Sequence, residues 1–456
     1  MRTLRVTVRP AGPISGTVRV PGDKSIAHRW LLLALTAGGR SELAGLPPSL
    51  DVRSTARAMT QLSGETQVEL QGWIHMKHVG TSAQVEGSLE WNVGPTISIG
   101  GAGRTALHQP GAEVDCGNSG TSLRLLSGVV APCPFRSTLT GDSSLRSRPM
   151  ERVAQPLREM GARVETTSGS PPVTIEGGTL TGIDYDLPVP SAQVKGAILL
   201  AATAAEGPTT VREAAPTRDH TEVALGHLGA RIERRDGSVI LWPFQHEGFR
   251  GRVPGDPSSA AFLAAAAALT GGRVLVTDVC LNPTRTAFMD VLRLMGSRAE
   301  ERATGAEVGE PVGVLETWGT GGLHGVRIEP ARTPALIDEV PILAVAAAHA
   351  EGESRFEGAG ELRVKESDRL AGVAEGIREL GGEAEIQGDA LVVAGGGLRG
   401  GTTDARRDHR LAMAFAVGAL AARSPCTLTG AEWAEVSFPG FVQALRTLGA
   451  DVEGAA

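Results

Sequence analysis

The chain has 456 residues, a formal net charge of −7 and 41% hydrophobic residues, the balance of a globular protein with a sizeable core. The acidic charge argues against a broad nucleic-acid surface, and no apolar run reaches the ~18 residues that a membrane span needs. MRTLRVTVRP at the start lacks the apolar centre of a signal peptide, and Cys116, Cys133, Cys280 and Cys426 lie without CxxC spacing. A cytoplasmic protein with no structural metal and no disulfide framework is expected.

One phrase occurs twice. VPGDKS at 20–25 leads through an apolar stretch to LTAGGR at 35–40, and VPGDPS at 253–258 leads through another to LTGGR at 269–273. Half the chain therefore reads as a duplicate of the other half. Where the first copy has Lys24 and Arg29, the second has Pro257 and Phe262. Two cations kept in one copy of a shared scaffold point to chemistry.

Taken in chain order, each half divides again into three units. The first opens a helix at GDKSIAHR (22–29), passes into a strand at AGGRSELAG (37–45) and turns at LSGETQVE (62–69). Residues 65–95 then break the pattern with Trp73, His75, His78 and Trp91, as an extended hairpin or surface loop would. The two histidines have no acidic or Cys partner at ligand spacing, so a metal is not expected there.

The second unit has GNSGTSLR (117–124), CPFRSTLTG (133–141) and MGARVE (160–165), and the third PSAQVKG (190–196), AEGPTTVRE (205–213) and LGARIE (228–233). The fourth repeats the series with GDPSSAA (255–261), TGGRVLVTD (270–278) and MGSRAE (295–300). LIDEVP (336–341), AEGESRFEG (350–358) and LGGEAE (380–385) make the fifth, and RRDHRLA (406–412), ARSPCTLTG (422–430) and LGADVE (448–453) the sixth. In each, an Ala/Leu-rich helix leads into a strand, and a second helix ends at a Gly before an alternating strand. An α/β protein with a six-fold internal repeat is predicted.

Ser, Asp and Asn at the helix starts are ordinary N-caps. Lys24, Arg29, Arg124 and Arg410 are not explained that way, because cations near a helix N-terminus oppose the helix dipole. They suit an anion bound between helix end and cation. Two further segments add charge. GDSSLRSRPM (141–150) carries Arg146 and Arg148 before Pro149, which favours an extended or turn geometry. GELRVKESDRLAG (360–372) sets Lys365, Glu366, Asp368 and Arg369 at the start of an amphipathic helix, for which composition alone predicts a solvated face.

Nine segments, PGDKSIAHR, GNSGTSLRLL, SLRSRPM, PSAQVKGAILLAA, RDHTE, IDEVP, LRVKESDRL, DHRLAMAFAV and SFPGF, resemble in order the signatures of the enolpyruvyl transferase family. They stretch from residue 21 to 441, and the SAQVK form is similar to a bacterial branch that acts on shikimate 3-phosphate. The resemblance implies two similar domains, each of three βαβαββ units in an inside-out α/β barrel. They would be residues 21–250, and residues 1–20 with 251–456. It also implies transfer of the enolpyruvyl group of phosphoenolpyruvate to the 5-hydroxyl of shikimate 3-phosphate, with release of phosphate. No cofactor, nucleic acid or membrane is involved, a monomer is the family expectation, and glyphosate is the implied inhibitor.

By position, the resemblance assigns shikimate 3-phosphate to Lys24, Ser25, Arg29, Ser191, Ala192, Gln193, Thr217, Arg218, Asp338 and Lys365. Phosphoenolpyruvate falls to Lys24, Gly120, Arg148, Gln193, Arg369 and Arg410. Asp338 is the implied base and Glu366 the implied acid, helped by Lys24, while Asn118, Arg124 and Asp408 support the pocket. Three positions depart from the family pattern: Ala192 replaces a second serine, Glu361 stands where many members have Asn, and Val436 replaces a lysine. The alternatives are the sister transferase that acts on UDP-N-acetylglucosamine, with a cysteine on a mobile loop, and a non-catalytic anion-binding protein on the same scaffold.

Overall fold

The computed structural model describes residues 4–63, 83–85, 88–90 and 96–454. Its sheets are small and repeat one plan. Asp184–Asp186 runs parallel to Thr209–Arg212, which pairs antiparallel with Ser238–Leu241, itself antiparallel to Ile232–Arg235. Val114–Asp115, Arg136–Thr140, Ser170–Glu176 and Arg163–Thr167 follow the same order and directions. So do Arg327–Ile328, Glu353–Phe356, Ala390–Ala394 and Glu383–Gln387.

The remaining sheets use strands from far along the chain. In the sixth unit the third place is taken by Arg5–Val8, between Cys426–Thr429 and Val452–Glu453. In the fourth, Gly16–Arg19 is the parallel neighbour of Arg273–Cys280, with Ser88–Glu90 parallel on its other side. In the first, Arg250–Arg252 plays that part beside Gly38–Ala44. The chain thus begins in the second lobe, crosses over, builds the first lobe and returns. The hairpins close on residues suited to positive φ, such as Asp236 (φ 47°) and Gly237 (φ 74°), whose twist matches that of the flanking strands.

Two apolar cores result. One gathers side chains from Ile26 to Val253, with Cys280 and Val308; the other joins Val6–Val20 to Ala260–Val452. Helices Lys24–Thr36, Gly120–Val130 and Ala192–Ala202 run through the first, and Pro257–Thr270, Val340–Ala347 and His409–Ala419 through the second. Their apolar residues lie on every side, as burial on all faces requires. Small residues permit the packing: a Cβ on Gly128 would stand 2.1 Å from the Ala197 carbonyl oxygen. Among the described residues, no helix is long and apolar enough to cross a membrane.

At the crossover the duplicated phrases meet each other. Asp23 N donates to Pro254 O at 2.7 Å and Asp256 N to Pro21 O at 2.9 Å, with Gly22 and Gly255 bridged antiparallel. Each aspartate then caps the helix that follows it, Asp23 accepting from Ile26 N and Asp256 from Ser258 N. One guanidinium, Arg285, clasps both carboxylates.

The segment after Arg136–Thr140, expected to be extended or a turn, takes the second form: Asp142 caps a helical turn, Ser143–Arg146, its side chain accepting from Leu145 N. The charged run at 360–372 does not begin a helix at Lys365. It forms a 3₁₀ turn, Gly360–Val364, and the helix starts at Arg369, where Asp368 accepts from Ala371 N. The readings made for residues 65–95, including His75 and His78, fall mostly outside the described residues; within that stretch Ala83–Val85 and Ser88–Glu90 pair antiparallel.

Candidate active site

A cavity of about 290 Å³ lies between the lobes, and helix starts from both lobes open into it. From the first lobe come Lys24 and Ser25, Gly120 and Arg124, and Ser191, Ala192 and Gln193, each group at the beginning of a buried helix. Arg148, Thr217 and Arg218 join them from loops. The second lobe contributes Asp338, Lys365, Glu366, Arg369 and Arg410.

Carboxylates hold most of the cations. Lys24 Nζ meets Asp51 Oδ2 at 2.8 Å. Burial opposes its charge, but Asp51 and Glu366 outweigh burial and raise its pKa. Asp338 receives Arg218 Nη2 at 2.5 Å, Arg410 Nη2 at 3.4 Å and Arg369 Nη1 at 3.5 Å. Burial alone would raise the Asp338 carboxyl; Arg410, Arg218, Lys365 and Arg369 overcome it and hold the group well below the usual range. Glu366 Oε2 lies 2.6 Å from Arg369 Nη2. Here too burial is outweighed, by Arg369, Arg148, His409 and Lys24, so the carboxyl is ionised. Lys365, in contrast, is lowered because burial exceeds the pull of Asp338 and Glu361.

Arg124 and Arg148 differ, having no carboxylate partner among the described residues. Arg124 Nη1 donates to Gln193 Oε1 and Arg148 Nη2 to Asn118 Oδ1, both at 2.5 Å. Their guanidiniums flank Gly120, where an added Cβ would come within 3.1 Å and 3.3 Å of the two Nη1 atoms. Burial, with Arg152 and Arg148 nearby, lowers Arg124 to about 9. A pair of buried guanidiniums at a helix N-terminus, with no carboxylate bonded to either, is a seat for an anion.

Of the residues expected from sequence, Asn118 and Asp408 stand behind the wall. Asp408 is fully buried, accepts from Arg369 Nε at 2.8 Å and caps the His409 helix. Arg29 does not line the cavity. Its Nε donates to Thr221 Oγ1 at 2.7 Å and its Nη atoms to the carbonyls of Ser25 and Ala192, so it braces the helix starts from below. The solvated face expected for 360–372 is also corrected, since Arg369 is 1% exposed and Lys365 and Glu366 face the cavity. Val436 ends a 3₁₀ turn, Ala431–Val436, and does not reach the cavity.

The structure adds Asp51, Arg152, Asp256, Ser258, Arg285 and Glu361 to the wall. Arg152 Nη1 faces Glu361 Oε1 across the cleft at 3.4 Å. Nothing local marked Asp51, since LDVRSTARAM reads as an ordinary amphipathic helix. Cys133 lies buried at the end of the Gly120 helix, its thiol pushed up to about 11 mainly by burial, unlike a reactive cysteine on a mobile loop. Among the described residues, no group of three or more His, Cys, Asp or Glu side chains is placed to hold a metal ion.

Six like units in two lobes, with a cationic cleft between them, define the enolpyruvyl transferase class. Comparison with known proteins narrows this. The family model for EPSP synthase (3-phosphoshikimate 1-carboxyvinyltransferase) matches residues 8–445. The 3-phosphoshikimate 1-carboxyvinyltransferase of Halorhodospira halophila is 44% identical over 98% of this chain and 96% of its own length. That of Thermus thermophilus is 44% identical over 96% of this chain and 97% of its own. A solved EPSP synthase from Acinetobacter baumannii superposes with a TM-score of 0.82 at 37% identity, covering 99% of this chain and 100% of that one. The chain belongs to the EPSP synthase family.

Proposed function

We propose that this protein joins phosphoenolpyruvate to the 5-hydroxyl of shikimate 3-phosphate, giving 5-enolpyruvylshikimate 3-phosphate and inorganic phosphate. The observation that carries the proposal is the pairing of two carboxylates, Asp338 and Glu366, with a ring of cations in one inter-lobe cavity. Each substrate bears a phosphate and a carboxylate, and guanidiniums suit both groups. The two lobes correspond to residues 21–250, and to 1–20 with 251–456. Ser25, Ser191, Ala192, Gln193, Thr217, Arg218 and Lys365 hold shikimate 3-phosphate, with Arg29 beneath them. Gly120, Arg148, Arg369 and Arg410 hold phosphoenolpyruvate, with Gln193 and Lys24 between the two.

In the addition step the 5-oxygen attacks C2 of phosphoenolpyruvate, Asp338 takes the hydroxyl proton, and Glu366 gives a proton to the methylene carbon. A tetrahedral ketal results. In the elimination step the methyl group returns a proton to Glu366, the bond from C2 to the phosphate oxygen breaks, and the departing phosphate takes up the proton held by Asp338. Asp338 is ionised, as a base must be. Glu366 must be protonated to act as an acid, whereas in the free protein Arg369 and Arg148 keep it ionised. Bound phosphate and carboxylate groups neutralise those guanidiniums, so ligand binding raises the Glu366 pKa. The acid is thereby armed only when the site is filled. Such proton transfers contribute roughly 10²–10⁴-fold each.

The test is phosphate release by the purified protein with both substrates, and with UDP-N-acetylglucosamine in place of shikimate 3-phosphate. Release with the first pair alone is expected. Release only with the nucleotide sugar, or with neither acceptor, contradicts the proposal.

A further inference from the structure

Lys195 is the charged residue of the SAQVK segment that the chemistry above leaves unused. It sits one turn beyond Ser191, Ala192 and Gln193 on the helix Ala192–Ala202, and it is 1% exposed. A lysine so deep in an apolar helix bundle is costly unless paired. Its Nζ meets Glu213 Oε1 at 2.9 Å and Glu222 Oε1 at 2.7 Å.

Glu213 in turn grips a loop on the cavity wall. Its Oε1 accepts from the backbone N–H of Thr217 at 3.1 Å and its Oε2 from Thr217 Oγ1 at 2.6 Å. Thr217 and Arg218 line the cavity on that loop, opposite the start of the Lys195 helix. One continuous chain of contacts therefore runs from the helix carrying Ser191, Ala192 and Gln193, through Lys195 and Glu213, to the loop carrying Thr217 and Arg218.

We infer that Lys195 and Glu213 are positioning residues that set the gap between the two halves of the phosphate pocket for shikimate 3-phosphate. The pair touches no substrate. It fixes the distance between two groups of donors that must close on the same phosphate, and misplacing one by a fraction of an ångström weakens every contact that the other makes. Glu222, on the adjacent helix His220–His227, is a second carboxylate against Lys195 and also faces the charge of Arg29; among the described residues neither of its oxygens makes a hydrogen bond. The inference rests on the assignment of Thr217 and Arg218 to shikimate 3-phosphate.

Steady-state kinetics of Lys195→Met, Lys195→Arg and Glu213→Gln test it, with Thr217→Ala as the control for the assignment itself. Lys195→Met and Glu213→Gln are expected to raise the KM for shikimate 3-phosphate by about ten-fold or more, with kcat and the KM for phosphoenolpyruvate within about two-fold of the parent. Lys195→Arg, which keeps the charge, restores at least part of the loss. Glu213→Gln preserves shape and serves where Lys195→Met does not fold. If Thr217→Ala raises the KM for shikimate 3-phosphate and the Lys195 and Glu213 variants do not, or shift both KM values alike, the positioning role is overturned. If Thr217→Ala is also silent, the assignment of the pocket fails instead.

Discussion

Arg218 of the first lobe and Asp338 of the second meet across the cleft at 2.5 Å. The ion pair ties the proposed base to a cation that the proposed reaction assigns to the substrate phosphate. On the proposed assignment, binding exchanges one partner for the other, and shikimate 3-phosphate frees Asp338 as it takes Arg218.

Asp338→Asn tests that exchange. Turnover should fall by roughly 10²–10⁴-fold, the contribution of a positioned base. Shikimate 3-phosphate should bind as tightly as before or tighter, because a carboxylate no longer competes for Arg218. Phosphate release and calorimetric titration measure the two effects, and weaker binding would contradict the exchange.

Gly120→Ala addresses the anion seat beside Arg124 and Arg148. The new Cβ crowds both guanidiniums, at 3.1 Å and 3.3 Å, without demanding an unusual backbone conformation. The fold should be unaffected, the KM for phosphoenolpyruvate should rise by about ten-fold, a change of about 1.4 kcal/mol, and glyphosate should inhibit less. The parent protein should be inhibited competitively with phosphoenolpyruvate; indifference to millimolar glyphosate would count against this seat.

Arg285→Met probes the crossover. The guanidinium is 2% exposed and neutralises Asp23 and Asp256 together. Its loss leaves two buried carboxylates facing each other, at a cost of about 3–5 kcal/mol. The denaturant midpoint at neutral pH reads this directly, and a loss below about 1 kcal/mol would show that the clasp carries little stability.

Acid lability should begin earlier than carboxylate titration would bring it. Burial lowers His349 to about 4, and His28 and His409 to about 3, against an ordinary 6.5. The unfolded chain therefore binds protons that the folded one refuses, and stability falls as pH drops from 6.5 toward those values. His349 lies outside the cavity wall, so His349→Gln isolates the effect. Between pH 7 and pH 5 the parent should lose about 2 kcal/mol more than this variant. Equal losses in denaturant titrations would contradict the buried neutral imidazole.

Much of the site was legible because it stands at helix starts. GDKS, GNSG and PSAQ are local phrases that specify a cap and a first turn, and Lys24, Gly120 and Gln193 follow from them. Asp51, Arg152 and Arg285 were not legible, since their partners Lys24, Glu361 and Asp256 are distant in sequence and only the packed lobes bring them together. Arg29 shows the converse: its position in the motif matched the family, but its guanidinium turns under the helix ends, toward Thr221. At 360–372, composition favoured a solvated helix, whereas Asp338 and Asp408, distant in sequence but in the same lobe, join Glu366 as the partners of the buried Arg369.

The most direct measurement is turnover in D₂O followed by proton NMR of the vinyl methylene. Protonation and deprotonation of that carbon, the task given to Glu366, must place deuterium in the methylene group of the enolpyruvyl product. Product formed with phosphate release but with an unlabelled methylene would contradict addition and elimination in this cleft.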